Sequence, residues 1–331
     1  MADIKVNRDS KLIKVLAAQA RRERVDSAAA DEAAEIIKEL AQDLNPQNRH
    51  EIAQTMAYAI EELQKHELDF MNSIADVKNV GYGDKAAFNL KVGDVKAYMQ
   101  AKGSTTARSY VASKQVLVDT HEISARPAIN IVDLRVGRVN MADLIRDANY
   151  QMTTKKMMHM QKVLHAAIEN YASPFYGTGN GVSAPVLDKQ LQYFRRFGNV
   201  AIVGDMAAVG QLSGLAGMAM NANMNQFSNE QINEVNDKGF MGRYKGCEVI
   251  AMNNAYDGNS IEPVLAPNWL YLIPSGMSGD SRNLKLVNEG GIITTESQNI
   301  DDLTYEVRLD SWFGAAFIVG NHPTIGAYCI N

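Results

Sequence analysis

The stretch from Arg138 to Tyr171 constrains this chain most, because it reads as one helix of about 33 residues. Such a helix spans about 50 Å, more than a small domain is wide. Asn140 is placed to cap its start, with Asp143 in the first turn to favour the positive helix end. Pro174 stops it, because the residue before a proline is driven out of helical geometry. Its apolar stripe is split. Met141, Leu144, Ile145, Ala148 and Met152 share one face; Met157, Met160, Leu164, Ile168 and Tyr171 share another, displaced by about a quarter-turn. Between them Thr153-Thr154-Lys155-Lys156 holds no apolar residue. The pattern predicts a beam whose two ends pack against different partners.

At 331 residues there is room for about two domains. A balance of 33 basic and 38 acidic residues, net −5, argues against a protein that wraps phosphate backbones. Cys247 and Cys329 have no metal-type spacing and fit a reducing compartment. The start, MADIKVNRDSKLIK, has no apolar run and does not read as a secretory signal. The longest apolar stretch, Phe313 to Val319, is too short to span a bilayer.

Residues 1–75 read as helices rich in Ala, Leu, Glu and Lys, broken at Asn45-Pro46. Charge is segregated there. Between positions 5 and 24 there are seven basic residues against two acids; between 26 and 69 there are eleven acids against three basic residues. Such runs are most often solvated faces; the alternative is an arm that docks on a neighbour.

Gly81 and Gly83 then mark a hinge, and two strand-like runs, Phe88 to Val92 and Tyr110 to Ile123, flank a turn-rich tip. Lys85, Lys91, Lys96, Lys102, Arg108 and Lys114 face only Asp94 in charge, so the hairpin carries +5. A lone two-stranded hairpin is marginal in water. This one is expected to lie on another subunit, with the acidic 26–69 segment as its electrostatic counterpart.

After the helix, Tyr176 to Ser183 is glycine-rich but lacks both the P-loop lysine and the GxGxxG spacing, and reads as a connector. Leu187, Leu191 and Phe194 line a short helix, Val200 to Val203 is a buried strand, and Asp205 caps a second helix. Ser228 and Gln231 form a capping box, and Met218 to Gln226 reads as an exposed loop. The last third is strand-rich: Cys247 to Met252, Trp269 to Ile273, Leu284 to Val287, Ile292 to Thr295, Leu303 to Leu309, Phe313 to Val319 and Ile325 to Ile330. Glu289-Gly290-Gly291 reads as a turn, as does Asp310-Ser311-Trp312. This is an α+β chain with a hairpin and a helical arm projecting from it. His159 and His165 are six apart and point to different faces; HExxH and GxSxG are absent. No catalytic residue, cofactor or metal ligand is predicted.

The order helical arm, long hairpin, long helix, α/β layer, strand-rich end resembles the major capsid proteins of tailed bacteriophages, which have the Hong Kong 97-type fold. The segments 283–296 (NLKLVNEGGIITTE) and 303–323 (LTYEVRLDSWFGAAFIVGNHP) add to the resemblance. It implies an N-terminal helical arm at 1–75 and an extended loop at 76–135. A peripheral domain with the spine helix would be 136–185 with 286–318, and an axial α/β domain 186–285 with 319–331. It also implies self-assembly as hexamers and pentamers into an icosahedral shell around double-stranded DNA held only non-specifically. Portal protein, and scaffolding or decoration proteins, would be further partners. No membrane is involved, and the chain would be a virion protein assembled in the host cytoplasm. On this reading Lys91, Lys96, Lys102, Arg108 and Lys114 make inter-subunit contact, Gly81, Gly83 and Gly137 are hinges, and Met218, Met220, Asn223 and Met224 lie near a capsomer axis. An encapsulin-type compartment with a protein cargo shares the fold and is the alternative. A cytosolic α/β enzyme is a more distant one, because no cluster of titratable groups supports it.

Overall fold

The computed structural model describes residues 11–93, 95–99, 101–102, 104–215, 242–252, 254, 256, 262–275, 282–299, 301 and 303–331, without the side chains of 66–73, 213 and 214. The chain opens with helices α1 (Lys11–Ala20), α2 (Ser27–Gln42) and α3 (Pro46–Ile74). Pro46 starts α3 with its preset φ, and the Asn45 side chain caps it by accepting from the Asn48 amide at 2.8 Å. Strand β1 (Asp76–Val80) leads into the hairpin strands β2 (Ala86–Val92) and β3 (Ala112–Val118). Strands β4 (His121–Ala125) and β5 (Ala128–Asn130) follow, then α4 (Ile131–Val136) and α5 (Met141–Ile168).

The predicted start of the long helix stands: Asn140 accepts from the Ala142 amide at 3.1 Å, with Asp143 in the first turn. The helix ends three residues earlier than predicted, at Ile168, where Tyr171 turns back to the Ile168 carbonyl. Both stripes are buried, in different cores. Met141, Ile145, Ala148 and Met152 join a first core with α1, α2, α3 and Tyr305, Val307 and Leu309. Met160, Leu164 and Ile168 join another with Trp269, Tyr271, Leu284, Leu286 and Phe313. The polar break is where the face changes. Lys156 is buried there, donating to Gln64 Oε1 of α3 at 2.9 Å with its ammonium 5.9 Å from the centre of the Phe313 ring.

The helical arm does not project. Ile13, Leu16, Ile52, Met56 and Ile60 are buried in one core with the first half of α5, and Ile37 and Leu40 of α2 complete it over α1, α3 and α4. The apolar stripes of these helices are too strong to leave in water, and α5 supplies the complementary one. The Tyr305 hydroxyl ties the layer down by donating to the Arg49 carbonyl at 2.7 Å.

The remaining elements are β6 (Tyr176–Gly179), α6 (Ala184–Phe194), β7 (Val200–Asp205), α7 (Met206–Gly210), β8 (Arg243–Tyr244), β9 (Cys247–Met252), β10 (Trp269–Pro274), β11 (Leu284–Asn299), β12 (Thr304–Phe317) and β13 (Gly326–Ile330). A six-stranded mixed sheet runs β6-β13-β10-β7-β9-β8 and shares a core with Leu187, Leu191 and Phe194 of α6. Asp205 caps α7 as predicted, its side chain accepting from the Ala207 amide at 2.8 Å.

Two predictions in this half are corrected. The first half of the glycine-rich "connector", Tyr176–Gly179, is strand β6, pairing in parallel with β13. Its glycines serve close packing: a Cβ on Gly179 would sit 2.5 Å from the Tyr328 hydroxyl oxygen, and one on Gly177 would sit 2.8 Å from Val186. Four predicted strands are in fact two. Leu284 to Val287 and Ile292 to Thr295 belong to β11, and Leu303 to Leu309 and Phe313 to Val319 mostly to β12. Glu289-Gly290-Gly291 is a bulge inside β11, where the pairing with β12 shifts register and Gly290 takes a φ of 66°. Asp310-Ser311-Trp312 stays in the ladder. The β11–β12 pair is the centre of a sheet ordered β1-β11-β12-β4, with β5 beside β12. The predicted elements at 218–239 and the turn at 257–259 lie outside the described residues.

Candidate assembly surfaces

Strands β2 and β3 pair from Ala86↔Val118 to Val92↔Ala112. Among the described residues of this hairpin, only those at its root share a buried core. Ala86, Phe88 and Val118 pack on Val287, and the ammonium groups of Lys78 and Lys285 lie 4.6 and 5.3 Å from the Phe88 ring centre. Lys285, 1% exposed, forms an ion pair with Asp76 at 2.7 Å, holding β1 to β11 where the two residues are register partners. Farther out, the Gly93 amide donates to Asn321 Oδ1 at 3.0 Å. Gly93 has a φ of 90°, and a Cβ there would lie 2.5 Å from the Tyr110 carbonyl oxygen. At the tip, the Lys96 amide donates to the Ser109 hydroxyl at 3.0 Å.

Lys91, Lys96, Lys102, Arg108 and Lys114 are all exposed. They do not stand alone. Val95 is 76% exposed, Tyr110 78% and Met99 fully, with Tyr98, Val111 and Leu117 also open. Single exposed apolar residues are ordinary, but a run of them on one ribbon marks a contact surface. The sequence reading weighed the basic residues and passed over these. Their signal was there, in Tyr98-Met99 and Tyr110-Val111 on either side of the turn-rich tip.

At the hairpin root, Gly83 has a φ of 84° and open space around it, while a Cβ on Gly81 would meet Asp84 at 2.7 Å. Glu289, on the β11 bulge, accepts from the Gly83 amide at 2.8 Å and from the Thr120 hydroxyl. These two donors hold its carboxyl below the usual glutamate range. Glu289 was not singled out from sequence, because a glutamate beside two glycines carries no local mark of a long-range contact. Gly137 lies elsewhere. With a φ of 76° it ends α4, its amide bonding the Leu134 carbonyl at 3.2 Å. Met218, Met220, Asn223 and Met224 lie outside the described residues.

Between α5 and the six-stranded sheet, His165 stacks on Trp269 at 3.7 Å, and its Nε2 is 2.7 Å from the Tyr271 hydroxyl. Gln161 Nε2 also donates to that hydroxyl, at 2.9 Å. Burial pushes His165 down to about 4 and Tyr271 well above the usual tyrosine range. An unfolded histidine titrates near 6.5. Folding therefore favours the neutral ring, so this stability is whole above about pH 6.5 and drains away as pH falls towards 4. His159 is also lowered, by burial and then by His121 and Lys162, and adds to the same slope. His165→Gln is expected to flatten the loss between pH 6.5 and 4.5. Discounted for partial solvent screening, the loss removed is about 1–2 kcal/mol, read by urea melts across that range. A slope equal to the parent's would refute it.

Among the described residues, no three His, Cys, Asp or Glu side chains are grouped to hold a metal ion. Cys247 and Cys329 are buried and not bonded to one another. No described helix is long and apolar enough to cross a membrane.

Comparison with known proteins identifies the family and the fold. Residues 2–329 match the family model YonB, described as "SPbeta prophage-derived putative capsid protein YonB". No curated protein matches the chain. Among solved structures, the mature capsid of bacteriophage PhiM1 is similar at 12% identity and a TM-score of 0.50, covering 78% of this chain and 86% of that one. The capsid of a native GTA particle is similar at 10% identity and a TM-score of 0.50, covering 78% and 88%. At such identities the likeness shows the fold, and that fold is the Hong Kong 97-type expected from the element order. The family match spans nearly the whole sequence, and the chain belongs to the YonB family of prophage-derived capsid proteins.

Proposed function

We propose that this chain is a major capsid protein whose copies close as hexamers and pentamers into an icosahedral head shell around double-stranded DNA. The observation that carries this reading is the hairpin tip. A ribbon with Val95, Tyr98, Met99 and Tyr110 in water gains its stability from a surface that covers them, and its own chain leaves them open. A projecting element that docks on the next copy makes head-to-tail contacts, which close into rings.

On this reading residues 76–135 are the extended loop, 136–185 with 286–318 the peripheral domain, and 186–285 with 319–331 the axial domain. The 1–75 helices thicken the peripheral domain. Lys91, Lys96, Lys102, Arg108 and Lys114 meet the neighbour, and the counter-surface is the outer face of α2, where Asp31, Glu32, Glu35 and Glu39 are exposed. Gly81 and Gly83 give the root its freedom to turn, and Gly137 sets the corner into the spine helix. The packaged DNA meets the shell non-specifically, in keeping with a net charge of −5. Portal protein occupies one vertex, with scaffolding or decoration proteins as further partners, and assembly takes place in the bacterial cytoplasm.

The test is electron microscopy of the purified chain. Closed shells with five- and six-fold capsomers are expected. Dispersed single copies at all concentrations and salt conditions would overturn the proposal, and shells filled with a protein cargo would move it to the encapsulin type.

A further inference from the structure

The hairpin's two legs leave the body at separate points, and one side chain grips both. The first leg departs after Val80 and passes Tyr82 and Gly83; the second returns through Val118 and Thr120 to β4. The Glu289 carboxylate accepts the Gly83 amide with Oε1, at 2.8 Å, and the Thr120 hydroxyl with Oε2. It stands on the β11 bulge, where the register with β12 shifts and Gly290 is left-handed. Around it the fit is close. Tyr82 lies over Gly290, whose Cβ would come 3.5 Å from the Tyr82 Cβ, and the Tyr82 ring meets Trp312 edge-on at 4.9 Å. Trp312 is the cross-strand partner of Glu289. On the second leg, a Cβ on Gly314 would lie 2.5 Å from the Asp119 carbonyl oxygen. The Lys85–Asp119 pair, at 3.3 Å, joins the legs to each other, so it moves with the hairpin and does not fix it to the body.

We propose that Glu289 is a latch that sets the angle of the hairpin against the body. While its carboxylate holds both legs, the root is fixed with Phe88 seated on Val287; when that grip is lost, the root loosens about Gly81 and Gly83, and the ribbon is left to the Phe88 contact, the Lys78 bond to the Ala87 carbonyl at 2.7 Å and the Gly93–Asn321 bond at 3.0 Å. A carboxylate suits the task because charge-assisted bonds to an amide and a hydroxyl are short and directional. A bulge suits it because the ladder is interrupted just after Glu289 and the strand bends there.

This latch rests on the proposed function only for its use, so it is tested on dispersed, unassembled full-length chain. Nitroxides are placed at Ala107→Cys on the tip and Glu169→Cys on the body, with the native cysteines buried. The parent is expected to give one narrow distance distribution. Glu289→Ala should broaden it at least twofold and speed hydrogen exchange at the Gly83 amide at least tenfold. Thr120→Val, which frees one leg and keeps the shape of the side chain, should fall between. It also serves if Glu289→Ala does not fold. An unchanged width in either variant overturns the latch. A chain that forms shells normally yet shows no change refutes the latch and spares the capsid reading; one that loosens but never forms shells does the reverse.

Discussion

The triple variant K96E/K102E/R108E is expected to remain folded and to lose assembly. The three side chains are exposed and far from the buried root at Phe88, so the subunit's own stability does not depend on them. Reversed, they bring like charge against a neighbour carrying exposed Asp31, Glu32, Glu35 and Glu39, and such a juxtaposition costs several kcal/mol. The concentration needed for shells should rise by about 100-fold or more, measured by light scattering and sedimentation. The triple D31K/E35K/E39K reverses the other side, at positions four apart on one face of α2, and should fail in the same way. Combining all six reversals restores opposite charge across the contact and should restore shells. If the combined variant assembles no better than either triple, α2 is not the counter-surface.

A second large effect is expected inside the subunit. Lys285→Ala leaves the Asp76 carboxylate, its side chain 13% exposed, without its 2.7 Å partner, in a place where Lys285 is 1% exposed. Removing one member of a buried pair costs about 3–5 kcal/mol, because the other charge remains out of water. Replacing both, as D76L/K285M, should come back to within about 1–2 kcal/mol of the parent, since the two apolar chains fill much the same space. Denaturant midpoints of the three variants decide it. A single variant as stable as the parent would mean that Asp76 finds water or another cation when its lysine is gone. Because the pair holds β1 beside β11, its loss should also free the root from which the hairpin departs.

The long helix was legible because periodicity reports burial directly. Met152 and Met160 fall on different faces of α5, and they are found in different cores. The Asn140 and Asp205 caps were legible for a similar reason, since a cap is satisfied within three residues of itself. The strands failed where local chemistry and tertiary demand disagree. Glu289-Gly290-Gly291 has the composition of a turn, but β12 runs alongside and supplies partners on both sides of it, so the chain bulges and carries on. Gly177 and Gly179 look like slack and are clearance, because Tyr328 fills the space their side chains would take. The helices at the start were recognised, but not where they lie. Ile13, Ile37 and Met56 mark stripes without saying what covers them, and the charge runs drew attention outward. The tip stood out for its basic residues, although Tyr98, Met99 and Tyr110 are exposed on it as well.

The β11–β12 ladder threads all the packing around the hairpin and the spine. Tyr305, Val307 and Leu309 are held in one core, Leu284, Leu286 and Phe313 in a second, and Val287 in the small one beneath the hairpin. In a wall made of such subunits, that ladder stiffens the half of each tile that carries the hairpin and the spine, so pressure from within would be met by the ribbons that overlap the tiles before this half deforms.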